Sequence, residues 1–164
     1  MDPAVFGIGT RRYSENLAAY YRHVRRNDTY VAYAVLPPQA VRDPTFYQRQ
    51  NLPVPSPEVV REEDDCIVIS GMKMLATGAV FADEIWIGNT QPLAPTQVKQ
   101  AVTCAVPCNA KGPTLWSRQA IAANAKNEFD SPLAWRFDET DSMVTCDNAS
   151  YDLPASPMSS RQGG

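Results

Sequence analysis

One threonine hydroxyl, set between two apolar runs, is the group in this chain best placed to meet a ligand. It lies in Gly71-Met-Lys-Met-Leu-Ala-Thr77-Gly-Ala-Val-Phe-Ala82-Asp-Glu-Ile-Trp-Ile-Gly88. A buried hydroxyl needs a partner, and its own backbone is one that would serve. Upstream, Pro37-Pro38 must stop a strand-like run, and the bend that follows carries Gln39 and Arg42. An amide and a planar guanidinium fork on such a bend suit ring edges and phosphate oxygens. Standing alone, Arg42 reads as a surface arginine. Asp83-Glu84 opens the second apolar run, but neighbours on a strand point to opposite faces, so the two do not share one substrate. Asp138-Glu-Thr-Asp141 reads as a polar turn.

Other chemistries find no footing. The chain has 1 histidine, His23, so a Ser–His–Asp arrangement would have to use it, and no nucleophile-elbow motif is present. No glycine-rich phosphate loop of either common kind occurs, so no dinucleotide is held in Rossmann fashion. The cysteines are Cys66, Cys104, Cys108 and Cys146. On an extended strand, the four-residue spacing of Cys104 and Cys108 separates them by about 13 Å, too far for one tetrahedral metal. The expectation is no metal site and reduced structural thiols.

At 164 residues the length suits one domain with a real core. A net charge of −3 leaves no basic footprint for nucleic acid. The local run Arg22-His23-Val-Arg25-Arg26 reads as the solvated face of a helix. No apolar run approaches the roughly 20 residues of a membrane span. Met1-Asp-Pro-Ala-Val-Phe-Gly7 lacks the features of a secretory signal. A soluble, cytoplasmic chain is expected.

The elements that must position these groups are mostly strands. Residues 14–27 form a helix, with Ser14 as N-cap, Glu15 at the positive end of the dipole, and Leu17, Tyr20, Tyr21 and Val24 as an apolar stripe. From Thr29 the texture changes. Strands are expected over 30–36, 58–61, 66–70, 73–76, 84–88, 100–106, 114–118 and 142–146. A short helical turn near Pro44 to Gln48 interrupts the proline-rich loop 37–57, and 58–61 pairs with 66–70 as a hairpin. Turns fall at Gly78, Asn89–Pro95, Asn109–Pro113 and Ser131-Pro132. Many short strands favour a closed or packed all-β unit. Residues 149–164 are small, polar and proline-dotted, and read as a disordered tail.

Four blocks in order carry a resemblance. Besides Gly71–Gly88 these are Tyr33-Ala-Val-Leu-Pro-Pro-Gln39-Ala-Val-Arg42-Asp-Pro, Thr103-Cys-Ala-Val-Pro-Cys-Asn109 and Phe129-Asp-Ser-Pro-Leu-Ala-Trp135-Arg-Phe-Asp-Glu-Thr-Asp-Ser-Met143. Over roughly residues 2–148 the chain resembles the oxygenase component of the 4-hydroxyphenylacetate 3-monooxygenase family, which includes pyoverdine-chromophore-type hydroxylases. The resemblance implies a mainly β fold: the β-barrel-like middle domain of an acyl-CoA-dehydrogenase-like flavoprotein, with one N-terminal helix. Residues 1–28 would be a remnant of a helical domain, 29–148 the flavin and substrate domain, and 149–164 the tail. It also implies a fragment, inactive alone, of a two-component monooxygenase. That enzyme takes reduced FAD from a separate flavin reductase and uses O2 to hydroxylate a phenol ortho to its hydroxyl. Full-length relatives would be homo-oligomers.

Carried over position by position, the flavin contacts implied are Tyr33, Ala34, Val35, Gln39, Ala40, Val41, Arg42 and Thr77. Thr90 and Gln91 match the start of a segment that covers the aromatic substrate. Tyr33, the candidate catalytic residue, stands where some members have a histidine on the substrate phenol; tyrosine still hydrogen-bonds but does not become a cation near neutral pH. Cys66 stands where relatives have glycine, and after Asn148 the sequence departs from the family. Two alternatives stay open: a lyase related to 4-hydroxybutyryl-CoA dehydratase, and an inactive truncated β module.

Overall fold

The computed structural model describes residues 13–39, 42, 45, 55–62, 66–90, 92, 93, 95, 97–138 and 140–152. Helix α1 spans Tyr13–Asn27, with Glu15 in its first turn and Arg25 and Arg26 in its last, each sign at the dipole end that favours it. It ends where Asp28 turns left-handed (φ 50). The Thr29 N–H then reaches back to the Val24 carbonyl at 3.1 Å, a Schellman-type closure.

Among the described residues seven strands follow: β1 Val31–Ala34, β2 Glu58–Glu62, β3 Cys66–Lys73, β4 Glu84–Ile87, β5 Cys104–Pro107, β6 Pro113–Ser117 and β7 Ser142–Asp152. They build a three-stranded sheet in the order β1-β4-β5 and a four-stranded sheet in the order β2-β3-β7-β6. β1 and β4 are parallel, Ala32 facing Ile85 and Ala34 facing Ile87. All the other pairings are antiparallel. The parallel pair needs a crossover, and the β2–β3 hairpin of the second sheet lies within it. The bridge Leu36↔Met74 joins the two sheets.

Alternating burial along β1, β4 and β5 puts Ala32, Ala34, Ile85, Ile87, Cys104 and Val106 into one core. Ile67, Ile69, Val144 and Cys146 of the second sheet join them. The small alanines on β1 let the layers approach closely. Gly71 does the same for β3, where the ladder to β7 slips between Ile69 and Gly71. There φ is +126, and a Cβ would sit 2.6 Å from the Ser56 carbonyl oxygen, so no side chain fits.

The fold is mainly β with an N-terminal helix, as the sequence implies, and the 58–62/66–70 hairpin forms. Several expectations need correction. The described strands form two open sheets rather than a closed barrel. The strand expected over 73–76 is the end of β3 plus a single bridge, because Leu75 turns left-handed (φ 61). The start of the expected strand 100–106 is taken by a 3-10 turn, Val98–Gln100, so β5 begins only at Cys104. Ser131-Pro132 does not merely turn: Pro132 opens a short helix α2, Pro132–Phe137, since proline is preorganised for a first helical position. Finally, β7 runs into the expected tail, pairing Ala149, Ser150, Tyr151 and Asp152 with Ile69, Val68, Ile67 and Cys66. The backbone groups of β3 need partners whatever side chains the neighbour brings. The rest of that tail, and the turn near Pro44 to Gln48 apart from Thr45, lie outside the described residues.

Candidate functional site

The end of β1 carries most of the residues expected to act. Tyr33 is 65% exposed and sits opposite Trp86 in the parallel register. Over that face lies Tyr20 of α1, its ring centroid 5.1 Å from that of Trp86. Ala34 is fully buried, so it offers a ligand no side-chain surface. Val35 is half-buried. Gln39 and Arg42 are brought together: the Arg42 N–H donates to the Gln39 carbonyl at 3.2 Å, and Arg42 Nε donates to the Pro37 carbonyl at 3.2 Å. Both side chains are exposed. With Nε engaged on its own loop, the guanidinium is oriented while its terminal nitrogens remain for an acceptor. Ala40, Val41 and Gln91 lie outside the described residues. Thr90 is exposed, directly after Asn89.

Thr77 corrects an expectation. It is exposed rather than buried, and its hydroxyl donates to Asp141 Oδ1 at 2.6 Å. After β3 the chain turns outward and is clipped beside the start of β7, Ala76 N–H to the Ser142 carbonyl at 2.9 Å and Gly78 N–H to the Thr140 carbonyl at 3.2 Å. A hydroxyl that gives its proton to a carboxylate keeps only lone pairs for a ligand, and so acts toward it as an acceptor. Nearby, Asp138 accepts from Arg118 Nη1 at 3.0 Å, from the Ile121 N–H at 2.8 Å and from the Thr140 N–H at 3.1 Å. The Arg118 bond, with the two backbone bonds behind it, holds the Asp138 carboxyl well below the usual carboxylate range. The Thr140 hydroxyl oxygen is buried and has no hydrogen-bond partner among the described residues.

Sequence reasoning missed a buried polar chain that ties these parts together. Lys73 is 2% exposed. Its Nζ donates to the Val35 carbonyl at 3.3 Å and to Asn89 Oδ1 at 2.8 Å. Asn89 Nδ2 in turn donates to the Gln100 carbonyl at 2.9 Å and to the Val102 carbonyl at 3.4 Å. Gln100 Nε2 donates to Glu58 Oε2 at 3.0 Å. Burial alone pulls the Lys73 amine down to about 8. The signal was present: Lys73 is the lone charged residue between Gly71 and Ala82.

Asp83 and Glu84 do separate functions. Asp83 Oδ2 accepts the Tyr30 N–H at 2.8 Å. Glu84 takes the Tyr20 hydroxyl at 2.8 Å and His23 Nε2 at 2.7 Å, which fastens α1 to the first sheet. Cys104, Cys108 and Cys146 form no disulfide among the described residues, and burial pushes Cys104 up to about 12. Such a group resists becoming the thiolate that metal binding needs. No helix among the described residues is long and apolar enough to cross a membrane.

Comparison with known proteins places this geometry. The chain is 29% identical over 138 residues to the oxygenase component of 4-hydroxyphenylacetate 3-monooxygenase of Geobacillus sp. (strain PA-9), covering 83% of this chain and 28% of that protein. It is 30% identical over 143 residues to the pyoverdin chromophore biosynthetic protein PvcC of Pseudomonas aeruginosa, covering 84% of this chain and 27% of the relative. Among solved structures it resembles the oxygenase component HpaB of 4-hydroxyphenylacetate 3-monooxygenase complexed with FAD and 4-hydroxyphenylacetate. There the TM-score is 0.69 at 31% identity, over 84% of this chain and 28% of that one. An archaeal 4-hydroxybutyryl-CoA dehydratase superposes with TM-score 0.70 at 19% identity, which shows a shared fold alone. The chain thus spans little more than a quarter of the length of these relatives. The model of the 4-hydroxyphenylacetate 3-hydroxylase N-terminal family matches residues 1–150, and the chain belongs to that family.

Proposed function

We propose that this chain forms one wall of the flavin and substrate site of a two-component monooxygenase that hydroxylates a phenol ortho to its hydroxyl. Reduced FAD comes from a separate reductase, and when bound it supplies the O2-activating chemistry. The observation that supports the reading is the likeness of 84% of this chain, at TM-score 0.69, to a chain solved with FAD and 4-hydroxyphenylacetate. The chain's own groups fit a flavin. Arg42, oriented by its bond to the Pro37 carbonyl, presents a fork suited to phosphate. Thr77, made an acceptor by Asp141, would take an N–H, and a reduced flavin ring carries an N–H at N5 that the oxidised ring lacks. Tyr33, exposed on β1, would hydrogen-bond a phenol, and Thr90 would face the substrate. Water exclusion requires walls beyond this one, so the chain alone binds FAD weakly and forms no catechol.

Anaerobic titration with reduced and oxidised FAD tests the reading. The reduced form binds more tightly, Thr77→Val abolishes that preference while Thr77→Ser keeps it, and Arg42→Ala weakens both forms. Equal affinity for the two forms, unchanged by either substitution, refutes it.

A further inference from the structure

We propose that Lys73 is a positioning residue that sets Thr90 against the end of β1, by spanning the Val35 carbonyl and the Asn89 side chain with one buried ammonium. The proposal rests on the reading above, in which Val35 faces the flavin and Thr90 the substrate. Its physical basis is independent of that reading. The two segments are 54 positions apart in sequence at Val35 and Asn89, and backbone pairing between them ends with the Gly88 N–H on the Ala34 carbonyl at 3.4 Å. One residue further on, the Lys73 ammonium takes over: 3.3 Å to the Val35 carbonyl on one side, 2.8 Å to Asn89 Oδ1 on the other. Asn89 spends its own two N–H groups on the Gln100 and Val102 carbonyls. The segment that starts at Asn89 is therefore gathered at its neck and fixed to β1 through Lys73.

An ordinary core residue at position 73 would fill the volume but leave Val35 and Asn89 without a common donor. No carboxylate among the described residues bonds the amine; Glu58 enters the chain two links away, through Gln100. The ammonium is thus held by a neutral carbonyl and a neutral amide. Those are weaker partners than a carboxylate, and their value lies in direction.

The test is amide hydrogen exchange and side-chain NMR on this chain, comparing the wild type with Lys73→Met and Asn89→Ala. Both substitutions should accelerate exchange at Gly88 and Val102 by about tenfold or more, the loss of one charge-assisted hydrogen bond. Val144 and Ile69, in the second sheet, should change less. In the wild type the Asn89 side-chain amide should titrate with a midpoint near the Lys73 value of about 8, and in Lys73→Met that titration should vanish. A role in packing alone would not move that resonance. If either variant fails to fold, the other carries the exchange measurement, and the wild-type titration stands by itself. Uniform acceleration across both sheets, or an Asn89 amide insensitive to pH, overturns the proposal. Addition of 4-hydroxyphenylacetate with reduced FAD then separates the two claims. A shift at Thr90 that weakens in Lys73→Met supports both. No shift at Thr90, with exchange and titration as expected, refutes the substrate assignment while the strut stands.

Discussion

The alkaline stability of this protein should carry the mark of Lys73. Burial lowers its amine from the ordinary 10.5 to about 8. At 1.36 kcal/mol per pH unit that gap is worth roughly 3 kcal/mol, trimmed to about 2 by relaxation around the ammonium. The sign is opposite to that of a lysine in an ion pair. Below pH 8 both folded and unfolded chains hold the proton, so the cost of burying the charge is fully present. Between 8 and 10.5 the unfolded chain binds more protons, and stability rises. Three groups push the other way: Cys104 (to about 12), Cys108 and Tyr20 are raised, chiefly by burial, so they keep their protons longer when folded and lower stability above about pH 9. A difference measurement removes them. Lys73→Met relieves the buried charge but leaves the Val35 carbonyl and Asn89 Oδ1 without a donor, at about 1–3 kcal/mol each. At pH 7 these opposed effects leave the variant between about 0 and 4 kcal/mol less stable than the wild type. By pH 10.5 the wild type should have gained about 2 kcal/mol relative to it. Urea unfolding at half-unit steps from pH 7 to 10.5 reads this directly. Parallel curves for the two proteins would refute a strained ammonium at this position.

Three other perturbations follow from the same structure. Gly71→Ala places a Cβ 2.6 Å from the Ser56 carbonyl oxygen at φ +126, and should cost about 3 kcal/mol or more in urea unfolding; a loss under 1 kcal/mol would mean the Ser56–Pro57 segment does not pass there. Arg118→Ala frees Asp138 from its main hydrogen-bond donor. The stability that this depressed carboxylate contributes is present above its ordinary range and lost as pH falls through it, so acid unfolding of the variant should be less steep between pH 4 and 2; an unchanged acid limb would count against the ion pair. Tyr20→Phe removes the hydroxyl on Glu84 and should lower helical circular dichroism with a loss of about 1 kcal/mol, which His23→Ala should reproduce in part.

How far the sequence foretells this molecule depends on whether the signal is local. The hairpin over 58–70 and helix α1 are written in alternation, helical spacing and an N-terminal acid, and both form where expected. The bend bearing Gln39 and Arg42 follows from two prolines. The failures have long-range causes. β7 extends through Asp152 because β3 lies alongside to receive it, and no property of Ala149-Ser150-Tyr151 alone could announce that. Thr77 is exposed, and the acceptor of its hydroxyl, Asp141, lies 64 positions on. Many short strands allow a closed or a packed β unit alike, because strand number does not fix strand order: the β2–β3 hairpin that interrupts β1 and β4 sends the chain into a second sheet.

Lys73 shows why such a site resists reading from sequence. In isolation it is a polar interruption of an apolar strand, the kind of position usually assigned to solvent. Its burial at 2% exposure without a carboxylate partner is energetically poor, and a methionine like its neighbours Met72 and Met74 would pack with less strain. A methionine, however, donates nothing. At this point β1 has left its ladder, the segment after Gly88 has left the same ladder, and each presents an oxygen that needs a donor: the Val35 carbonyl and Asn89 Oδ1. Main-chain N–H groups cannot serve both, since neither strand continues. One long side chain from the other sheet, tipped with three N–H donors, satisfies both and fixes their separation. The cost of burying a charge and the geometry of the candidate site thus have one origin, the divergence of β1 and β4 beyond Ala34 and Gly88, and a substitution that relieves the charge at Lys73 should loosen the segments proposed to meet the ligand.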